Sequence, residues 1–221
     1  MKSGNAHYNS VTDLPEEIAL FPLEGVVLLP GGYLPLTVFE PRYLEMVEDV
    51  MSHNKLIGII QPLEENTIDE QKPQLFATGC IGRITTYSEN GDGRLLIGLQ
   101  GVCRFQLLKE RDTQKSYRIA KILPEIYDLF DRENGDDINR EELLSTFEEF
   151  LHANQLDADW DSITEAPTQT LVNALSIIAP FGAAEKQALL EAPDVKTRAQ
   201  TLIALTERSL MVQNGDDIAL N

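Results

Sequence analysis

Phe39-Glu40-Pro41-Arg42-Tyr43 is the stretch whose reading decides the fold. Two apolar runs precede it, Ile18-Ala19-Leu20-Phe21-Pro22-Leu23 and Val26-Val27-Leu28-Leu29-Pro30-Gly31-Gly32-Tyr33-Leu34-Pro35-Leu36. Their lengths and their proline and glycine punctuation predict a strand, a tight turn and a second strand. Pro41 then suits the first position of a helix, where the missing N–H costs nothing and φ is already near its helical value. Behind it Leu44, Val47, Val50 and Met51 recur at spacings of three and four, which gives that helix one apolar face.

The strand pattern continues to about residue 127. Leu56-Ile57-Gly58-Ile59-Ile60 is a short buried run, and polar residues 63–74 read as a loop. Glycines at 79, 82, 98 and 101 fall inside strand-like segments, where they predict bends or bulges. Ser88-Glu89-Asn90-Gly91-Asp92-Gly93 predicts a hairpin, because Asn-Gly and Asp-Gly supply positive φ. Apolar and polar residues alternate from Tyr117 to Leu123, as on a half-buried strand. Many strands with one inserted helix predict a strongly curved sheet or open barrel.

After residue 128 the texture is helical. Asn139 with Glu142 forms a capping-box pattern, and Ile138 with Leu143 a hydrophobic staple. Leu143, Leu144, Phe147, Phe150 and Leu151 mark one apolar face. Further helices are expected from Ala166-Pro167 to Pro180, over Ala184 to Leu190, and from Asp194 to a stop at Gly215. The expected organisation is a flexible arm at 1–16, a β-rich domain at 17–127, an acidic linker at 128–138, a helical subdomain at 139–213 and a tail at 214–221. The fold class is α+β.

Composition narrows the function. Hydrophobic residues make up 43% and charged residues 24%, ordinary for a soluble globular chain. No signal-like apolar core occurs in residues 1–17, and Glu24 with prolines 22, 30 and 35 argues against a membrane span over 18–36. A cytoplasmic protein with no membrane partner is expected. Cys80 and Cys103 form no C-x-x-C, His7, His53 and His152 share no ligand spacing, and neither a metal nor a cofactor is expected. Asn134-Gly135-Asp136-Asp137-Ile138 recurs as Asn214-Gly215-Asp216-Asp217-Ile218, but an EF-hand register on Gly135 puts Phe130 and Arg132 at ligand positions. The net charge is −18, with thirteen acidic and two basic residues in 128–165 against five and eight in 76–127. That field repels phosphate backbones and disfavours nucleic acid.

Taken as an ordered set, several motifs resemble the N-terminal, substrate-binding domain of Lon-type ATP-dependent proteases. They are Leu34-Pro35-Leu36, Phe39-Glu40-Pro41-Arg42-Tyr43, Gly58, Gly79, Gly82, Asp92-Gly93-Arg94, Gly101-Val102-Cys103-Arg104-Phe105, Lys186-Gln187-Ala188-Leu189-Leu190-Glu191 and Arg198. The resemblance covers roughly residues 18–212. It departs from many relatives at Val26-Val27-Leu28-Leu29-Pro30, where they carry an aromatic before the proline. It implies a PUA-like β domain with one inserted helix, followed by a helical bundle. Within the shared motifs, Phe39, Glu40, Pro41, Arg42, Tyr43, Gly93, Arg94, Arg104 and Phe105 read as structural, a buried network in which Glu40 and Arg42 are expected to pair with each other or with backbone groups.

The enzymatic parts of such a protease are not recognisable. None of the eight lysines follows a glycine, as a phosphate-binding loop requires, and no glycine-framed serine suggests a serine–lysine site. The 221 residues also end before either catalytic domain would begin. The leading expectation is a non-enzymatic module that binds unfolded or apolar-rich polypeptide, with a separate ATP-dependent protease as a further partner. Leu28, Leu29, Tyr33 and Leu34 are the expected contact surface, because apolar residues in a glycine-proline turn are hard to bury, and Phe181 is an outlying member. One alternative is a hydrolase using carboxylates such as Glu40, Glu64 and Glu65. The other is an RNA-binding PUA-like protein using Arg83, Arg94, Arg104 and Arg118.

Overall fold

A computed structural model describes residues 1–63, 73–130, 135, 137–154 and 160–219. In chain order the elements are β1 (Lys2–Ser3), β2 (Ala6–His7), β3 (Glu17–Pro22), β4 (Tyr33–Val38), α1 (Pro41–Met51), β5 (Leu56–Ile60), β6 (Thr78–Glu89), β7 (Leu95–Glu110) and β8 (Arg118–Pro124). The helical part follows as α2 (Arg140–Ala153), α3 (Trp160–Glu165), α4 (Thr168–Ile178), α5 (Ala183–Glu191) and α6 (Val195–Ala219). The class is α+β, as expected.

The main sheet runs β4-β7-β6-β5-β3-β8, and β8 returns to pair with β7. The sheet therefore closes on itself. Closure is possible because β7 is long: its first half pairs with β4 from Gln100 opposite Tyr33 to Leu95 opposite Val38, and its second half pairs with β8 from Phe105 opposite Pro124. Only β3 and β5 are parallel; the other pairings are antiparallel. The α1 helix starts at Pro41 and buries Tyr43, Met46, Val47 and Val50 in the barrel core. Gly93, at φ 81°, turns the β6–β7 hairpin as the Asp-Gly signal required.

Several expectations need correction. Residues 1–16 are not a loose arm. The β1–β2 hairpin closes one end of the barrel, Tyr8 and Leu14 enter its core, and Arg83 reaches out to the Tyr8 hydroxyl and the Asn5 side chain. Val26 to Leu29 is not a strand, and its leucines are not at the surface. Leu28 and Leu29 are fully buried and Leu34 nearly so. Leu28 packs inside the barrel against Gly82 and Gly101, and the helical part covers the turn from outside. Asn173 of α4 donates to the Pro30 carbonyl at 2.9 Å, and the Ile177 side chain sits over Gly32. The Leu29 carbonyl lies so close to Gly101 that a Cβ there would stand 2.0 Å from it. The interior glycines thus serve close approach as much as bending.

The acidic segment also begins differently. Asp128 and Leu129 are buried, and residues 131–134 and 136 lie outside those described, as do Glu64 and Glu65 of the 63–74 loop. The short α3 was not foreseen, and α6 runs through Gly215 to Ala219.

One charged side chain ties the two parts together. Arg104 on β7 meets Asp128 through both carboxylate oxygens, at 2.9 and 2.8 Å, and donates to the carbonyls of Leu190, Ala192 and Pro193 after α5. A second polar seam joins Gln61 to the Ala183 carbonyl and the Gln187 side chain, while Gln187 donates to the Thr78 carbonyl. These bonds satisfy groups that helix docking takes out of water.

Two expectations can be measured. Arg104→Met leaves Asp128 buried without its partner and should cost about 3–5 kcal/mol in urea unfolding, and Arg104→Met with Asp128→Leu should lose less than the single change. Lys186, 2% exposed, donates to the Ser176 and Ile177 carbonyls at the end of α4, and burial pushes its ammonium down to about 8. Below pH 8 it is charged in folded and unfolded chains alike. Above that, the folded chain loses its proton first, so stability rises with pH toward the ordinary value of 10.5. The wild type should gain up to about 2 kcal/mol relative to Lys186→Met between pH 7.5 and 9.5.

Candidate functional site

Where the barrel meets the helical part, a cavity of about 800 Å³ opens between Thr78, Gln106, the 125–130 turn and the Glu191 to Pro193 corner. The 3-10 turn Ile126–Leu129 shapes it. Asp128 and Leu129 point inward, the first held by Arg104 and the second with its carbonyl accepting from the Met1 ammonium. The preceding and following residues are thereby turned out, leaving Tyr127 77% and Phe130 60% exposed. Gln106 donates to the Thr78 hydroxyl at 3.1 Å and lies opposite Leu123 on β8. Leu108 occupies the bulge between the Leu107–Ile122 and Lys109–Lys121 pairs. Leu108 and Leu123 are more than half exposed, so two apolar side chains on the adjacent strands extend the apolar surface of Tyr127 and Phe130, which line the cavity. Such grouping marks an interaction surface.

The electrostatics suit binding by burial and stacking. The Arg104 charge is matched by Asp128, while Glu125 and Glu191 leave the groove locally negative. Glu125 caps the turn by accepting from the Tyr127 N–H, and Glu191 accepts from Gln187. The nearest nucleophile type is unsuitable: burial pushes the Cys103 thiol up to about 12 and raises that of Cys80 as well. Among the described residues no group of three or more His, Cys, Asp or Glu could hold a metal ion, and no helix is long and apolar enough to cross a membrane.

The sequence-predicted surface is not brought together. Leu28, Leu29 and Leu34 lie in the barrel core, and Phe181 packs in the helical core with its ring 6.1 Å from that of Phe150. Tyr33 alone stays exposed, on the outer face of β4, where its hydroxyl end covers Gly98. The shared motif is also less buried than expected. Phe39 is 64% exposed, and Glu40 and Arg42 form a solvent-exposed pair with each other at 2.7 Å, because Glu40 sits at the helix cap outside the core. Arg42 lies over the Tyr43 ring, which packs on Phe21, so Pro41 and Tyr43 carry the motif's structural role. Phe105 is fully buried, and Arg94 pairs with Asp92 in the hairpin turn.

A second cavity, of about 820 Å³, collects Arg42, Arg111, Lys115 and Arg118, but each is engaged by a carboxylate: Glu40, Glu17, Asp49 and Glu110 respectively. The four arginines named for RNA do not form a face. Arg83 is spent on Tyr8, Asn5 and the Asn54 carbonyl, and Arg94, Arg104 and Arg118 on Asp92, Asp128 and Glu110.

The groove residues Tyr127, Phe130, Leu108 and Leu123 escaped the sequence reading, although a signal existed. Leu107-Leu108 and Ile122-Leu123 are apolar doublets in strands that otherwise alternate, so one of each doublet must face water.

Comparison with known proteins agrees with this architecture. The profile of the ATP-dependent protease La (LON) substrate-binding domain matches residues 17–208. Lon protease of Parabacteroides distasonis is 31% identical over 207 residues, covering 87% of this chain and 24% of that protein. Lon protease of Escherichia coli K12 is 25% identical over 199 residues, covering 88% and 25%. The chain thus spans about a quarter of the length of these relatives. The crystal structure of a Lon N-terminal domain protein from Xanthomonas campestris superposes with a TM-score of 0.59 at 24% identity, covering 85% of this chain and 97% of that one. The N-terminal domain of Mycobacterium avium complex Lon protease gives 0.63 at 17%, covering 86% and 98%. With a barrel, an inserted helix and a docked helical part matched along nearly their whole length, the chain belongs to the LON substrate-binding domain family.

Proposed function

We propose that the protein is a non-enzymatic module that binds unfolded, apolar-rich polypeptide in the groove bounded by Tyr127 and Phe130. The observation that carries this reading is the pair of exposed aromatic rings held outward on either side of two consecutive residues, Asp128 and Leu129, that are locked inward. A groove with rigid aromatic walls gains apolar burial from a guest at little ordering cost. The family's description as a substrate-binding domain supplies the class of guest. Its membership also supports a cytoplasmic setting and an ATP-dependent protease as the protein to which a held polypeptide is passed.

The groove is favoured over the outer face of β4. There Tyr33 already rests on Gly98 with its hydroxyl near Thr86. The hydrolase reading has no support in the groove, where no activated nucleophile or free acid–base pair adjoins the rings.

A single groove of this size supports micromolar or weaker affinity. Tyr127→Ser with Phe130→Ser should weaken binding of a fluorescent, apolar-rich unfolded peptide by about tenfold or more with an unchanged circular dichroism spectrum. Tyr33→Ser should leave the affinity as it is; the reverse pattern would move the site to β4. The purified chain should turn over neither ATP nor unfolded casein, with or without magnesium, and turnover abolished by a point change in this chain would overturn the non-enzymatic reading.

A further inference from the structure

Beyond the groove, the outer face of β7 and β8 carries a local exception in a chain of net charge −18. Lys109 and Lys121 stand directly opposite each other across the two strands, both exposed. Like charges in register on a sheet repel and destabilise the pairing. The other strand neighbour of Lys121 is Glu17, whose carboxylate is taken by Arg111 at 2.5 Å. The adjoining Glu110 is taken by Arg118. Among the described residues neither lysine has a carboxylate within ion-pair distance. Leu108 and Leu123 lie between this lysine pair and the aromatic groove, on the same outward face as Lys121.

We infer that the lysine pair anchors an acidic residue of the bound polypeptide, so that the preferred guest is an apolar stretch with Asp or Glu a few residues away. The inference rests on the groove reading above and specifies its substrate class. Spacing follows from strand geometry. Lys121 to Leu123 is two residues, or about 7 Å, and Lys121 to the Glu125 edge of the groove is four, or about 13 Å. An extended guest with its apolar side chains on Leu123, Leu108 and the rings therefore carries its acidic residue over the lysines two to four positions away. The opposite end of the surface, with Glu125 and Glu191, repels an acid there and fixes which end of the guest lies where. The protein's overall negative charge does not cancel the anchor, because exposed charges beyond about 8 Å are largely screened at physiological salt. A repulsive lysine pair beside two exposed leucines has no evident use in the free barrel; an acidic, apolar guest relieves both features.

The test uses the full chain and three short fluorescent peptides that share one leucine- and phenylalanine-rich core and differ only in a flank of aspartates, asparagines or lysines. At low salt the aspartate peptide should bind about fivefold more tightly than the asparagine peptide, and the lysine peptide more weakly than either. In Lys109→Gln with Lys121→Gln that ranking should disappear while the asparagine peptide binds as before. High salt should erase the ranking in the wild type. The double variant should also unfold at an equal or higher temperature, since a repulsion is gone. Equal affinities for all three peptides, lost on changing Tyr127 and Phe130, would overturn the anchor and leave the groove standing. A ranking that survives in the lysine variant would place the anchor elsewhere and overturn this assignment. No binding of any peptide would overturn the groove reading itself.

Discussion

The contact between Arg104 and Asp128 organises most of what is distinctive in this molecule. A guanidinium and a carboxylate removed together from water gain little net stability, since desolvation offsets most of their attraction. What they supply is position. Arg104 projects from the middle of β7, and its five donors reach both the turn after β8 and the chain leaving α5. The turn cannot rotate without breaking a paired charge out of a half-buried site, and the helices cannot slide without leaving carbonyls unsatisfied. The direction in which Tyr127 and Phe130 face is a consequence of that restraint.

The same docking explains why the Val26 to Leu34 segment lost its predicted exposure. A glycine-proline turn rich in leucine would sit at the surface of an isolated barrel. Here α4 lies over it, with Asn173 satisfying the Pro30 carbonyl and Ile177 over Gly32, while the leucines that looked like a binding patch turn into the barrel core. Arg198 of α6 accompanies this by donating to Asn173 and to the Leu189 carbonyl. Buried polar residues of the helical part such as Asn173, Gln187 and Arg198 are thereby spent on the barrel and on each other, and Leu143, Phe147, Leu171 and Leu202 pack in one helical core.

Local signals in the sequence were read well where they act locally. Pro41 at the start of α1, the Asp-Gly hairpin, Asn139 bonding the Glu142 N–H, and Asp194 bonding the Thr197 N–H at 2.6 Å each concern a few neighbouring residues. What could not be read was set at long range. The burial of Leu28 depends on Gly82 and Gly101, the order at Tyr8 on Arg83, and the inward turn of Asp128 on Arg104. Phe39 was misjudged for a related reason: membership of a shared motif carries no information about which way a side chain points, and strand alternation from Val38 places it outward. The groove needed two such long-range facts at once, the turn and the bulge, and its only trace in the sequence was a pair of leucine doublets.

The closure of the barrel has a consequence for how the protein is made. Glu17 of β3 lies opposite Lys121 of β8, about a hundred residues later in the chain. At about 5–20 residues per second, the outer edge of β3 waits roughly 5–20 seconds on the ribosome before its partner emerges. Throughout that interval the Glu17 to Leu20 edge lacks its β8 partner, although β5 reaches the other edge of β3 earlier. A protein proposed to hold unfolded polypeptide therefore passes through a nascent state with an exposed apolar segment of its own.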